Sequence, residues 1–295
     1  MGPGPPVRNR ALGRDDECAV TAMTTNNPLH TIAGSIALAG AGKMGGAMLS
    51  GWLAQGLDPA RIVVIEPSPS PEISALAAKG LTLNPAAARP VETLVVAVKP
   101  QMFREAGARL KALVGDSTLV VSIMAGTPIA VLREVCGGAV VRAMPNTPAA
   151  IGRGITVAVA HHQVSAAQRA TADALLRATG SVEWVDAESL MDAVTAVSGS
   201  GPAYVFLLAE ELARAGVAAG LPEALATRLA RETVAGSGEL LHRSDLPSAT
   251  LRQNVTSPGG TTAAALNVLM GPGGLQQLME HAVAAATARS KELAK

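Results

Sequence analysis

Two runs, TLVVAV (93–98) and TLVVSI (118–123), are apolar almost from end to end. A strand with one wet face alternates polar and apolar residues. A strand without alternation is covered on both faces, the condition of a parallel sheet with helices on either side. Further β-branched stretches lie at 35–40, 61–66, 139–144, 155–160 and 182–185, and helical patterns such as 43–55 and 70–79 separate the early ones. This alternation predicts an α/β, doubly wound sheet over residues 34–187.

After residue 187 the strand-like runs stop. Helical patterns are expected at 203–219, 222–242, 247–254, 260–270 and 273–294, so residues 188–295 read as a second, all-helical domain. Val205, Leu208, Leu212 and Ala215 share one face of the first of these helices. Aromatic residues make up only 2% of the chain, so its cores must be built from Ala, Val, Leu and Ile, side chains that permit close helix contact. Long helices with Ala- and Leu-rich faces are expected to complete their core against a second subunit. Residues 1–33, which hold Pro3, Pro5 and Pro6 and no apolar segment of the signal-peptide kind, are expected to be a disordered tail. The 24 basic and 23 acidic residues nearly cancel, so neither nucleic acid nor an anionic membrane is expected as a partner. No apolar run reaches membrane-spanning length. Cys18 and Cys136 form no motif and read as thiols of a reducing, cytoplasmic compartment, and the five histidines show no metal-ligand spacing.

The first strand runs into Gly40-x-Gly42-x-x-Gly45, which opens the first helix. In a dinucleotide site the three glycines have separate tasks: a tight turn, room for the diphosphate, and close packing of helix on strand. The helix N-terminus then meets the anion with free N–H groups. Glu66, ending the second strand, suits a ribose diol and hence NAD; Ser68 and Ser70 beyond it suit a 2′-phosphate and hence NADP. On the residues alone the choice stays open. Lys99-Pro100 ends the strand at 93–98, and Met124-Ala125-Gly126 ends that at 118–123, both at the edge where such sheets bind ligands.

Two hydroxyl-rich turns stand before later helices. AVSGSGPAY (196–204) places Ser198 and Ser200 where they could cap a helix that opens at Pro202. VTSPGGTT (255–262) offers Thr256, Ser257, Thr261 and Thr262 around Pro-Gly-Gly. Its own residues fit a helix cap and an anion site equally well.

Taken in order and spacing, GAGKMG (40–45), AVKP (97–100), MPNTP (144–148), AVSGSGPAY and VTSPGGTT resemble the pyrroline-5-carboxylate reductase family over about residues 35–294. The resemblance implies a Rossmann domain followed by a helical dimerisation domain, with dimers that assemble up to decamers. It implies reduction of 1-pyrroline-5-carboxylate to L-proline by NADP(H), with NAD(H) as the alternative. It places Ala39, Gly40, Ala41, Gly42, Lys43 and Met44 at the cofactor phosphates and Asn84 near the adenosine ribose. Ala97, Val98, Lys99 and Pro100 then flank the nucleotide, and Met124, Ala125 and Gly126 approach its nicotinamide. On the substrate side it points to Glu188, Asn254, Ser257, Thr261 and Thr262. Ser257 and the N–H groups around Gly259, Gly260 and Thr261 would then hold the carboxylate, and Thr262 the ring nitrogen. Gly45 departs from the alanine the family often has there.

Overall fold

The computed structural model describes residues 28–293. The first half of the chain alternates strands and helices: β1 (Ile36–Ala39), α1 (Lys43–Ala54), β2 (Ile62–Ile65), α2 (Pro71–Leu76), β3 (Thr82–Leu83), β4 (Val91–Val96), α3 (Pro100–Lys111), β5 (Val114–Ser122), α4 (Ile129–Cys136), β6 (Ala139–Met144), β7 (Gly154–Ala160), α5 (Ala166–Arg177) and β8 (Gly180–Trp184). The strands form one sheet in the order β3-β2-β1-β4-β5-β6-β7-β8. The order reverses between β1 and β4, which opens a crevice at their carboxyl ends.

Alternate residues feed two cores. Ile36, Leu38, Val95, Leu119 and Val121 face α1 and α5, with Met48, Trp52 and Leu175 packed on them. Ala37, Leu94, Val96 and Val120 face α3 and α4, where Phe103, Leu110 and Leu132 close the layer. The indole N–H of the wholly buried Trp52 donates to the Leu175 carbonyl at 2.8 Å, so the first and last helices of the layer are tied together.

The sheet is parallel except at one pairing, since β6 and β7 run antiparallel. The expected parallel sheet holds at every other pairing and is corrected only at this one. Residues 145–153 between them hold only a short 3-10 turn, Thr147–Ile151. A parallel return needs a crossover of about a dozen residues or more, and a short link permits only the antiparallel one. β8 pairs parallel to β7 because α5 supplies that crossover.

Of the expected tail, residues 1–27 lie outside the described residues. Residues 28–33 are folded, contrary to expectation: Leu29 and Ile32 are buried. The Arg61 guanidinium binds the carbonyls of Ile32 and Gly34.

The second half is helical: α6 (Met191–Val194), a π turn (Thr195–Gly199), α7 (Gly201–Ala218), α8 (Glu223–Arg243), α9 (Ser248–Asn254), α10 (Thr261–Leu269) and α11 (Leu275–Leu293). α7 ends at Ala218, and Gly220, with φ +97°, turns the chain towards Pro222 and α8. The two helices approach closely because their contact residues are small: a Cβ on Gly216 would stand 3.1 Å from that of Ala226. Beyond this contact, and the bond from the Tyr204 hydroxyl to the Ala196 carbonyl (3.0 Å), most of α7 is exposed. None of its residues is buried in the single chain, nor any of α9 or α10. Val205, Leu208 and Leu212, expected to share one face, are all exposed in the single chain. Among the described residues no helix is long and apolar enough to cross a membrane.

Candidate active site

At the end of β1 the three glycines divide their tasks by space. Gly40 has φ +90°, and a Cβ there would meet the Ala97 carbonyl oxygen at 2.6 Å. A Cβ on Gly45 would stand 2.1 Å from the Gly40 oxygen, so α1 can lie against the strand only without one. A Cβ on Gly42 would meet nothing within 4 Å. Gly42 therefore borders open space where Gly40 and Gly45 border backbone. It is the N-cap of α1, with no side chain capping the helix. The first-turn N–H groups thus face that space, and the cradle fits a diphosphate.

Beside it lies a cavity of about 570 Å³ lined by Ala41, Gly42, Lys43, Glu66, Ser68 and Ser70 among others. The Glu66 carboxylate folds into the glycine turn, accepting from the Ala41 N–H at 2.8 Å and the Ser68 N–H at 3.0 Å. Asn84 holds Glu66 from behind: its side chain accepts from the Glu66 N–H (3.0 Å) and donates to the Glu66 carbonyl (2.8 Å). Asn84 adopts φ +47°, a left-handed conformation that asparagine tolerates better than most residues. The Ser70 hydroxyl caps α2 by accepting from the Ile73 N–H.

The neighbouring strand ends complete the crevice. The Ala97 N–H donates to the Ala39 carbonyl at 2.7 Å, and Pro100 opens α3 with Lys99 as its N-cap. Met124 is buried, and Gly126 turns at φ +67° against Leu293, the last residue of α11. Ala39–Met44, Ser68, Asn84, Ala97–Pro100 and Met124–Gly126 are thus all carried on the carboxyl side of β1–β5 or on loops beside it.

Glu188 accepts two hydrogen bonds on one oxygen, Oε1: from the Ile129 N–H at the start of α4 and from Arg142, each at 2.8 Å. Arg142 comes from the middle of β6 and its side chain is only 6% exposed. Sequence reasoning passed over Arg142, although a charge inside an apolar strand demands a partner.

The turn at 255–262 stands apart. Gly259 takes φ +69° and Gly260 is the N-cap of α10, with no side-chain cap. The first intrahelical bond runs from the Ala264 N–H to the Gly260 carbonyl at 3.2 Å, so the N–H groups of Thr261, Thr262 and Ala263 precede it. The cap reading of this turn therefore fails for its hydroxyls, and Thr256 bonds back to the Arg252 carbonyl instead. The cap reading fails at AVSGSGPAY too. There α6 continues through the π turn into α7, and the Ser200 N–H already donates to the Thr195 carbonyl (2.9 Å), so no open helix end is left to cap.

A family model described as pyrroline-5-carboxylate reductase dimerisation matches residues 188–293. Another, described as NADP oxidoreductase coenzyme F420-dependent, matches residues 35–126. The pyrroline-5-carboxylate reductase of Pseudomonas aeruginosa is 40% identical over 264 residues, covering 88% of this chain and 96% of that one. The chain belongs to the pyrroline-5-carboxylate reductase family.

Solved structures of pyrroline-5-carboxylate reductases agree with that placement. The structure from Coxiella burnetii gives a TM-score of 0.82 at 34% identity, covering 90% of this chain and all of that one. The structure from Plasmodium falciparum, with NADP bound, gives 0.72 at 30% identity over 88% and 98% of the two chains.

In this member of the pyrroline-5-carboxylate reductase family, Glu66 and Glu72 line the cavity beside the glycine turn, with Lys43 their one basic counterpart there. A carboxylate in that place favours a ribose diol and opposes a 2′-phosphate, whereas the Ser68 hydroxyl favours the phosphate. Glu66→Gln removes the charge and keeps an acceptor for one of the two N–H groups. The kcat/KM ratio of NADPH to NADH is expected to rise about tenfold, the equivalent of roughly 1.4 kcal/mol. Steady-state kinetics with both cofactors checks this, and an unchanged ratio means that Glu66 has no part in the choice.

Proposed function

We propose that this protein reduces 1-pyrroline-5-carboxylate to L-proline with NAD(P)H, using NADP(H) in preference and accepting NAD(H). The observation that carries the substrate side is the open start of α10, where N–H groups and hydroxyls gather without capping one another. Residues 34–187 hold the nucleotide; residues 188–295 hold the substrate and pair the subunits. When bound, the reduced nicotinamide supplies a hydride to the imine carbon. The protonated imine is already electrophilic, so the chain needs to orient it rather than activate it strongly.

Ser257 and the N–H groups of Gly259 and Thr261 hold the substrate carboxylate at the positive end of the α10 dipole, while the Gly260 N–H, expected to join them, closes the turn on the Ser257 carbonyl at 3.1 Å. The Thr262 hydroxyl accepts from the N–H of the protonated ring nitrogen and, once hydride has reached the neighbouring carbon, relays a proton from solvent to the new amine. Glu188, fixed by Arg142 and the Ile129 N–H, and Asn254 at the end of α9 complete the substrate side. The described hydrogen bonds of residues 255–262 stay within the turn and its flanking helices, so we assign the meeting of turn and crevice to a second copy of the chain. The assembly is a homodimer that can associate to a decamer, placed in the cytoplasm.

The direct test is oxidation of NADPH, and separately of NADH, in the presence of pyrroline-5-carboxylate. Absence of turnover with both would sink the reading. Thr262→Ala removes one hydrogen bond to a charged group, at a cost of about 1.5–3 kcal/mol. Its kcat/KM for the imine is expected to fall tenfold or more while the cofactor Kd stays unchanged; unaltered kcat/KM removes Thr262 from the mechanism.

A further inference from the structure

The two carboxylates at the cavity beside the glycine turn are not placed alike. Glu66 is half-buried and held at both oxygens, by the Ala41 N–H and the Ser68 N–H. It is fixed where a ribose diol would meet it. Glu72 lines the same cavity from the first turn of α2. It is exposed and forms no ion pair among the described residues. A hydrogen bond from the Ser70 hydroxyl, and one from its own N–H, hold the Glu72 carboxyl below the usual carboxylate range. Its charge is therefore complete at neutral pH.

Ser70 is engaged by the same arrangement. Its hydroxyl accepts from the Ile73 N–H at 3.3 Å and donates to Glu72. Of the two serines that suited a 2′-phosphate, Ser68 alone keeps a hydroxyl without a partner among the described residues. Lys43 is the single basic side chain of the cavity, against Glu66 and Glu72. A cavity of about 570 Å³ is on the order of 10 Å across, comparable to the screening length of about 8 Å at physiological salt. A phosphate inside it meets the field of Glu72; an uncharged hydroxyl does not.

We propose that Glu72 determines how far this enzyme prefers NADPH to NADH: its charge repels the 2′-phosphate that NADPH alone carries, and so keeps NADH usable. This rests on the NAD(P)H reading above. Lys43 and the Ser68 hydroxyl draw the 2′-phosphate in, and Glu72 opposes them. Glu66 serves the diol, which only NADH presents complete. The diphosphate is common to both cofactors, so whatever Glu72 does to it cancels when the two are compared.

The test is titration of the full chain with AMP and with adenosine 2′,5′-bisphosphate, which differ only in the 2′-phosphate. In Glu72→Gln the affinity for the bisphosphate relative to AMP is expected to rise about fivefold at low salt, the effect of one charge on a dianion across such a cavity. The kcat/KM ratio of NADPH to NADH should rise by the same factor. At about 1 M salt the screening length shrinks to about 3 Å, and variant and wild type should converge. Glu72→Asp keeps the charge and should stay within about twofold of wild type, by the same bound on one charge moved a short way. A purely structural role of Glu72 in α2 would move both nucleotides alike and would survive salt. An unchanged ratio in Glu72→Gln, or a gain that persists at high salt, would each overturn the assignment. The titrations need neither imino acid nor nicotinamide. If wild type binds both nucleotides and Glu72→Gln leaves their ratio unchanged, this assignment falls and the NAD(P)H reading stands; a wild type that binds neither sinks both.

Discussion

Gly42→Val is expected to leave a folded protein that no longer binds NAD(P)H. The backbone at Gly42 (φ −69°, ψ −160°) is open to any residue, and a Cβ there has no protein neighbour within 4 Å. The stability cost is confined to a poorer N-cap, about 1 kcal/mol or a few degrees in Tm. The branched side chain would nevertheless fill the approach to the first-turn N–H groups. Losing two charge-assisted hydrogen bonds costs roughly 3–6 kcal/mol, so the cofactor Kd should rise at least about a hundredfold. Gly40→Val, at φ +90° and 2.6 Å from the Ala97 oxygen, has the opposite profile: binding fails because the fold does. Calorimetry on the two variants, with a cofactor titration of each, separates the cases. A Gly42→Val protein with ordinary affinity would show that the diphosphate does not lie on this turn.

What could be read beforehand, and what could not, follows from how each feature is encoded. TLVVAV and TLVVSI announced strands buried on both faces because burial is written in each residue. The glycine turn was legible because its spacing answers local steric needs. The direction of β7 was not, since alternation is the same whichever way a strand runs; only the short link at 145–153 decides it. β3, two residues long, offers no period to detect. Prolines and charges made residues 1–33 read as a tail, while the burial of Leu29 and Ile32 rests on contacts distant in sequence. Glu188 entered through a resemblance, but its partner Arg142 lies 46 positions away on another element, beyond any local pattern. Ser198 and Ser200 resembled caps because a π turn and a helix start share the same small residues; the hydrogen-bond register tells them apart. For α7 the apolar face was legible, and so was its need for a second subunit, because a long helix rich in Ala and Leu has too little of its own chain to cover it.

Phe206→Glu combined with Leu208→Glu is expected to give a monomer with little reductase activity and an intact nucleotide site. In the single chain Phe206 is 68% exposed and Leu208 53%, on a helix with no buried residue. Beside them a groove of about 1050 Å³ runs between α7 and α8, lined by Val205, Phe206, Ala209, Val217, Val234 and Ala235 among others. Soluble monomers rarely present so continuous an apolar surface, whereas permanent homodimers bury interfaces of about 2,000 Å² or more. In a two-fold interface each substitution occurs twice, so four carboxylates would have to leave water without partners, at several kcal/mol each. Light scattering should report the mass of a single chain, 29.7 kDa. Affinity for NAD(P)H should persist, because the glycine turn and Glu66 are built from one chain alone. Turnover should fall by two orders of magnitude or more if, as proposed, the turn at 255–262, whose hydrogen bonds stay within its own helical segment, meets the crevice of a second copy. A monomer with full activity would place the substrate site within one chain, and a dimer that tolerates all four charges would mean that α7 packs on something other than its counterpart.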